Sequence, residues 1–256
     1  MPKDLAWNKI FDDFFREHDF ESSPATLAAE MIKQSTRQFS KTADREVRIL
    51  AKIDTRKDLP HVMRDRGLFI LPTKNGEYIL LKGEGFHDLS PPTSTQSFTS
   101  KLDFELKSAK VGHSEMQYLD YAFNTGLLHH FLELDVPLYL QIRGRKYTPP
   151  FRFRVGPFEV ATASVQTEVD GGYEGRDVVV LVEAKGSSQD NFIIRQLYYP
   201  YRQWRIHTQK VIRLFFFSVD SKTETYSFWE YQFTDETDYN SIRLIKSASY
   251  RIIERF

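Results

Sequence analysis

The chain has 256 residues, of which 41% are hydrophobic and 27% charged, as in a globular protein with one large domain or two modest ones. Its 35 basic residues balance 35 acidic ones, which argues against a protein that coats nucleic acid non-specifically but leaves room for a local basic cleft. Cysteine is absent, so disulfides, zinc–thiolate sites and thiol nucleophiles are excluded.

The N-terminal stretch is too acidic and too interrupted for a signal peptide. No run approaches the roughly 18 apolar residues of a membrane span. We therefore expect a soluble, cytoplasmic protein with no membrane partner.

Hydrophobic spacing and turn residues predict an N-terminal α+β unit over residues 1–88. Its predicted helices are 5–18, 26–33 (started by Ser22, Ser23 and Pro24) and 59–66, and its predicted strands are 47–53, 68–71 and 78–82. Lys74-Asn75-Gly76 predicts a hairpin turn between the last two strands. Residues 86–101 are rich in Pro, Ser and Thr and are the candidate domain boundary.

The remainder, 102–256, predicts an α/β domain with a mixed central sheet flanked by helices. Predicted helices are 114–134, capped by Ser114, and 190–205. Predicted strands are 102–106, 136–142, one or two within 151–169, then 178–185, 211–219, 225–233 and 242–253. A basic turn at 143–146 and a Gly171-Gly172 turn complete the pattern.

The most informative feature is a pair of charged residues that ends an apolar strand. Val178–Val182 is wholly apolar, and Glu183 and Lys185 follow it two residues apart, so their side chains share a face. If the Gly-Gly turn closes a hairpin, Asp170 lies beside them. Two carboxylates can hold Mg²⁺ together with water and a phosphate oxygen, and the lysine can orient or deprotonate the attacking water.

A Glu-x-Lys pair on a strand is more often a solvated salt bridge than a catalytic pair. Three features favour catalysis here: the buried strand before the pair, Gly186-Ser187-Ser188 after it, and Asp170 upstream. Glu168 is a further candidate ligand, with a cross-strand partner or a solvated side chain as the alternatives.

The stretches EVDGGYEG and VVLVEAKGS, which carry Asp170, Glu183 and Lys185, resemble the PD-(D/E)XK nuclease superfamily. The sequence departs from the pattern in placing Val169, not proline, before the first aspartate, and the spacing to Glu183 is short. The whole chain is similar to type II restriction endonucleases of this superfamily, through REVRILAKIDTRKDLPHVMRDRGLFILPTKNGEYIL and HSEMQYLDYAFNTGLL as well.

This resemblance implies a restriction-endonuclease-like core, with Mg²⁺-dependent cleavage of double-stranded DNA at a short sequence. It also implies a homodimer and a DNA methyltransferase as a genetic partner. In members of the superfamily an acidic residue on the helix before the core strands lies near the metal, which points to Glu115 as a third ligand. A glutamine on the helix after the motif faces the site, which points to Gln196 as catalytic.

Two basic clusters are candidate DNA-binding surfaces. The denser one comprises Arg143, Arg145, Lys146, Arg152 and Arg154, and the other Arg56, Lys57, Arg64 and Arg66. Further arginines at 195, 202 and 205 are candidates for phosphate contacts, with a solvated basic face as the alternative. Other readings of the chain are a structure-specific, repair or modification-dependent nuclease, a non-catalytic DNA-binding protein of the same fold, and a plain interaction module.

Overall fold

The computed structural model describes residues 3–255, except for the side chain of Lys110. The first unit contains helices α1 (Asp4–Phe14), α2 (Ala29–Thr36), α3 (Thr42–Arg45), α4 (Val47–Leu50) and α5 (His61–Arg64), and strands β1 (Ala25–Ala28), β2 (Leu68–Lys74) and β3 (Glu77–Lys82). The strands form a three-stranded sheet in the order β1-β3-β2. The predicted β2–β3 hairpin is confirmed, and Gly76 has the positive φ of 75° that the turn requires.

The rest of the chain contains strands β4 (Phe86–Asp88), β5 (Thr95–Thr99), β6 (Tyr139–Tyr147), β7 (Phe151–Val155), β8 (Phe158–Thr162), β9 (Gln166–Glu174), β10 (Val178–Lys185), β11 (Asn191–Ile193), β12 (Val211–Asp220), β13 (Thr225–Phe233) and β14 (Ile242–Ile253). Its helices are α6 (Glu115–Asn124), α7 (Leu127–Leu132) and α8 (Arg195–His207). Short 3-10 turns occur at Arg56–Asp58 and Lys107–Lys110.

A mixed seven-stranded sheet is the centre of the protein, in the order β5-β14-β13-β12-β10-β9-β6. The pairs β10–β12 and β14–β5 are parallel, and the other neighbours are antiparallel. Helices α6 and α7 pack on one face of this sheet, and α8 packs on the other. The predicted class, an α/β fold with a mixed sheet flanked by helices, is therefore confirmed.

The N-terminal unit shares its hydrophobic core with the second part of the chain. One cluster of buried side chains joins Trp7 and Phe69 of the first unit to Phe153, Tyr199 and Tyr239 of the second part. The predicted boundary region also contributes structure, because it supplies β4 and the sheet strand β5. The division into residues 1–88 and 102–256 stays a prediction about chain organisation.

The loop from the 3-10 turn at Arg56–Asp58 is fastened to the second part of the chain. The backbone N–H of Arg56 donates to Asn191 Oδ1 at 2.8 Å. The guanidinium of Arg56 forms ion pairs with Asp88 and Glu84. Strands β4 and β11 pair antiparallel beside this contact. We call this arrangement the β4–β11 clamp.

Several predicted elements in the first unit were wrong. The segment 47–53, predicted as a strand, begins with helix α4, and its Leu50 and Ile53 are buried in the core that both parts of the chain share. Ser22, Ser23 and Pro24 do not start a helix. The next residues form β1, where Ala25 and Leu27 are buried on alternate positions, and the helix starts only at Ala29.

Several predictions in the second part also need correction. The range 151–169, predicted to hold one or two strands, holds β7, β8 and the start of β9. Residues 102–106 form no strand, and the predicted basic turn at 143–146 lies inside β6, where Gly144 (φ 80°) coincides with a register irregularity. The predicted helix 114–134 breaks at Gly126 (φ 85°) into α6 and α7. The predicted helix 190–205 begins only at Arg195, after β11.

Gly171 and Gly172 lie within β9 and not in a turn. A Cβ atom on Gly171 would lie 2.6 Å from Leu119 Cδ2 of α6, and one on Gly172 would lie 2.4 Å from Ile142 Cβ of β6. The pair is therefore required by close packing of neighbouring elements on the strand. The hairpin connection between β9 and β10 lies further along, after Glu174.

Replacement of Gly172 by alanine is expected to destabilise the protein by about 1–3 kcal/mol, as overpacking does. Gly171→Ala should cost less, because its clash is with the mobile end of a leucine side chain and not with an atom next to the backbone. Urea unfolding of both variants measures the difference. Equal stability of Gly172→Ala and the wild type would contradict the packing argument.

Candidate active site

The two predicted carboxylates meet where the β9–β10 ladder ends. The last ladder pair is Gly171 with Val182, so Asp170 and Glu183 each lie one residue beyond it. Asp170 Oδ2 accepts a hydrogen bond of 2.8 Å from the backbone N–H of Ala184. The side chain of Asp170 therefore crosses to β10 and is fixed beside Glu183, as the sequence predicted.

Glu183 and Lys185 share one face of β10, and their side chains form an ion pair. Gln196, the second residue of α8, donates from Nε2 to Glu183 Oε1 at 2.6 Å. Its Oε1 atom is buried and has no hydrogen-bond partner among the described residues. Helix α8 thus brings an amide to the carboxylate and leaves one acceptor free at the site.

Glu115 joins the start of α6 to the end of β10. Ser114 caps the helix, since its Oγ accepts from the backbone N–H of Gln117 at 3.2 Å. Glu115 Oε1 accepts from the backbone N–H of Gly186 at 3.0 Å. This contact brings the carboxylate of Glu115 next to the strand end, as the third carboxylate there. One of the two oxygens of Glu115 is occupied by the hydrogen bond.

Burial dominates the electrostatics of the three motif residues. It raises the pKa of Asp170, and it raises the pKa of Glu183 to about 7. Lys185 opposes this rise in the pKa of Glu183, and the charge of Asp170 adds to it. Burial alone would lower the pKa of Lys185, but Glu183, Asp170 and Glu115 raise it above its ordinary value. The site therefore contains more carboxylate than one ammonium group neutralises, and an added cation would stabilise the ionised forms.

These side chains open into a cavity of about 930 Å³. The wall from the second part of the chain includes Glu115, Glu168, Asp170, Glu183, Lys185 and Gln196, and the wall from the first unit includes Arg48, Lys52, Asp54 and Tyr78. All the predicted catalytic and metal-binding residues are thus brought together. The cavity lies between the two parts of the chain.

The donor set fits a magnesium ion held through few protein ligands. Among residues 3–255, no three or more His, Cys, Asp or Glu side chains gather closely enough to form a metal cage by themselves. Mg²⁺ usually keeps several waters and needs only one or two carboxylates plus substrate phosphate. Asp170 and Glu183 supply two carboxylates, and the free Oε1 of Gln196 can accept a hydrogen bond from a metal-bound water.

The 143–154 basic cluster is divided by the structure. Arg145 lines the cavity and pairs with Glu168 at 3.3 Å. Arg143 Nε donates to the backbone oxygen of Asp170 at 3.1 Å and its guanidinium pairs with Asp120. Like Arg143, the three other members lie outside the cavity lining. Lys146 Nζ is 5.7 Å from the ring centre of Trp204, and Arg152 and Arg154 pair with Glu159 and Asp235 on and near the β7–β8 ribbon.

The 56–66 basic cluster does not line the cavity. Arg56 belongs to the β4–β11 clamp. Arg64 donates to the backbone oxygens of Arg56 and Leu59, and the Arg66 guanidinium lies 5.3 Å from the ring centre of Phe11. Lys57 is exposed on the same surface. Its role in DNA binding stays a prediction.

Sequence reasoning missed the basic residues of the opposite wall, Arg48 and Lys52. A strand and a helix both place residues four apart on one face, so the sequence pattern did not distinguish this pair from a solvated basic face. Their place on the cavity depends on how the segment packs against the second part of the chain. Arg195, considered only for phosphate contacts in general, also lines the cavity, next to Gln196.

Asp170→Asn is expected to make the protein relatively more stable as the pH rises. Because the folded pKa lies above the ordinary value of 3.8, the stabilising effect of protonated Asp170 is complete below that value and is lost as pH rises through the folded pKa. The asparagine variant does not undergo this loss. Urea unfolding from pH 4 to pH 8 should show the stability of the variant gaining on that of the wild type. A parallel pH dependence of Asp170→Asn and wild type would contradict the assignment.

In the described residues 3–255, no helix is both long and apolar enough to cross a membrane. No curated protein and no solved structure matches the chain. Two family signatures do match: "Domain of unknown function (DUF6996)" over residues 4–80 and "Domain of unknown function (DUF6997)" over residues 81–251. Because the second match covers more than half of the chain and includes every predicted catalytic residue, the protein belongs to the DUF6997 family.

Proposed function

We propose that the protein is a Mg²⁺-dependent endonuclease that hydrolyses phosphodiester bonds of double-stranded DNA, and specifically a type II restriction enzyme. The observation that carries this proposal is the convergence of Asp170, Glu183, Lys185 and Gln196 at one buried strand end that opens into a large cavity. An ion pair that served only stability would not need a second carboxylate beside it.

The order of elements supports a restriction-endonuclease-like core. Antiparallel β9 and β10 carry the acidic residues and the lysine, α8 follows and supplies the glutamine, and β12 returns parallel to β10. This is the element order that the motif resemblance implies. The homodimer and the partner methyltransferase belong to the same proposal and rest on that resemblance alone.

Each residue has a defined task in this proposal. Asp170 and Glu183 would hold the ion, with Glu115 as the third candidate ligand. Bound Mg²⁺ would lower the pKa of a coordinated water and neutralise charge that develops on the phosphate. Lys185, whose pKa is raised by its carboxylate neighbours, would be a cation that orients the attacking water and stabilises the charged phosphate oxygens. Gln196 would keep Glu183 in position through its 2.6 Å hydrogen bond.

We expect Asp170→Asn, Glu183→Gln and Lys185→Ala each to reduce Mg²⁺-dependent cleavage of duplex DNA by at least about a hundredfold, the scale of a lost catalytic group. The matched control is Glu159→Gln, an exposed carboxylate on β8 that pairs with Arg152 and lies outside the cavity lining. Plasmid linearisation measures the rates, and circular dichroism checks the fold. Normal cleavage by Lys185→Ala would show that the site assignment is wrong.

The restriction-enzyme part of the proposal has its own test. Digestion of a sequenced, unmodified plasmid should give discrete bands whose ends map to one short sequence. Ladders or smears with scattered ends would show that cleavage is not sequence-specific. They would favour a repair or structure-specific nuclease instead. Cleavage only of methylated plasmid would indicate a modification-dependent enzyme.

Cleavage should depend jointly on pH and on Mg²⁺ concentration. Because burial raises the pKa of Glu183 to about 7, protons compete with the cation for this carboxylate near neutral pH. At limiting Mg²⁺ the rate should rise between about pH 6 and about pH 8, and higher Mg²⁺ should move the midpoint to lower pH. A midpoint that stays at one pH at every Mg²⁺ concentration would argue against Glu183 as a ligand.

A further inference from the structure

The wall of the cavity that faces the carboxylates carries positive charge. Arg48 and Lys52 come from the first unit, in and just after α4, and both are exposed. Arg195, at the first position of α8, lines the same cavity and shares the Asp54 carboxylate with Lys52. Three cations from two parts of the chain therefore border the space next to the candidate catalytic group.

The guanidinium of Arg195 is held in place, but not all of its N–H groups have a hydrogen-bond partner among the described residues. Its side chain is only 24% exposed, and Nη2 lies 3.4 Å from Asp54 Oδ1, a long contact for a charged pair. Its Nε atom is buried and makes no hydrogen bond to any described residue. A guanidinium presents its donors in a planar fork that matches phosphate oxygens, so Arg195 has donors left for an oxyanion.

Asp54 connects the two sides of this wall. Its carboxylate lies 3.6 Å from Lys52 Nζ and 3.4 Å from the Arg195 guanidinium. Its backbone oxygen accepts from the N–H of Ile193 at 2.8 Å, which fixes the main chain of the segment beside α8. One carboxylate thus serves as the shared counter-ion of two cations, the exposed Lys52 and the mostly buried Arg195.

We propose that Arg48, Lys52 and Arg195 form a subsite for a DNA backbone phosphate, and that Asp54 is the internal counter-ion that this phosphate displaces. The inference rests on the proposed nuclease function for the identity of the ligand. It assigns the main phosphate contact of the first unit to the cavity wall at 48–54 and not to the 56–66 cluster.

The subsite can be tested by binding, without any cleavage. A fluorescent mixed-sequence duplex is titrated with protein in EDTA over a series of salt concentrations, and anisotropy gives the affinity. Arg48→Ala, Lys52→Ala and Arg195→Gln should each weaken binding several-fold and reduce the salt slope by about one, as loss of one phosphate contact does. Arg195→Lys keeps the charge and should retain most of the affinity, which guards against an effect of misfolding.

The matched control is Lys33→Ala, which removes an exposed lysine of α2 that pairs with Glu30 and does not line the cavity. This variant should bind like the wild type. Lys57→Ala tests the rival surface at 56–66. If Lys57→Ala loses affinity while Arg48→Ala and Lys52→Ala do not, the subsite is overturned and the 56–66 surface takes its place.

Asp54→Asn gives the most specific outcome. If Asp54 is a displaced counter-ion, its neutral variant should bind the duplex more tightly than the wild type, and this gain should disappear in the Arg195→Gln background. A purely structural role for Asp54 predicts weaker binding by Asp54→Asn and no coupling to Arg195. That result would overturn the counter-ion assignment.

Failure of this inference is distinct from failure of the nuclease proposal. A wild type that cuts duplex DNA but binds it independently of Arg48, Lys52 and Arg195 overturns the subsite and keeps the nuclease. A wild type that binds through these residues but never cuts with Mg²⁺ keeps the subsite and overturns the nuclease. A wild type that binds no duplex even at low salt overturns both.

Discussion

The buried carboxylate of Glu183 is the interaction on which the site depends. A carboxylate removed from water is costly unless it is paired, and this one is paired with both Lys185 and Gln196. These two partners come from the same strand and from α8, so the sheet and the helix must both be in place before the charge is tolerated. The nearby Asp170 counteracts part of that relief, since it raises the pKa of Glu183 further. The fold therefore brings two carboxylates, Asp170 and Glu183, to one strand end, where Lys185 is the single ammonium group beside them.

Close packing places the other parts of the site around this carboxylate. Without side chains at Gly171 and Gly172, α6 and β6 approach β9 closely, and Glu115 at the start of α6 reaches the backbone of Gly186. On the opposite side of the sheet, α8 packs against β9, β10 and β12 and brings Gln196 and Arg195 to the same edge. The geometry of the site therefore depends on the contacts of two helices with opposite faces of one sheet.

Features encoded by neighbouring residues could be predicted from the sequence. The spacing of Glu183 and Lys185 on a strand of confirmed bounds put both on one face, and the hairpin with Asp170 followed from the short connection. The mixed sheet and its last strands followed from alternation over long segments. These features depend on period and length, which a single sequence contains.

Features that depend on distant contacts could not be predicted. The apolar residues at 47–53 favoured a strand, but the segment begins with helix α4. Its Leu50 and Ile53 lie in the common core, and its Arg48 and Lys52 line the cavity. The glycine pair suggested a turn, because the sequence does not show that α6 and β6 pack against β9. Arg56 matched a DNA-binding residue by composition alone, whereas its partners, Asp88 and Asn191, are 32 and 135 residues away.

The β4–β11 clamp has a consequence for the width of the cavity. It fastens the first unit to the second part through Arg56, which binds Asn191 beside the paired strands β4 and β11, and the shared core adds to this attachment. The width of the cavity between the two parts of the chain is therefore set by contacts outside the cavity. A change in the clamp or in the shared core would alter the cross-section of the molecule that the cavity accepts, without any change to the residues that line it.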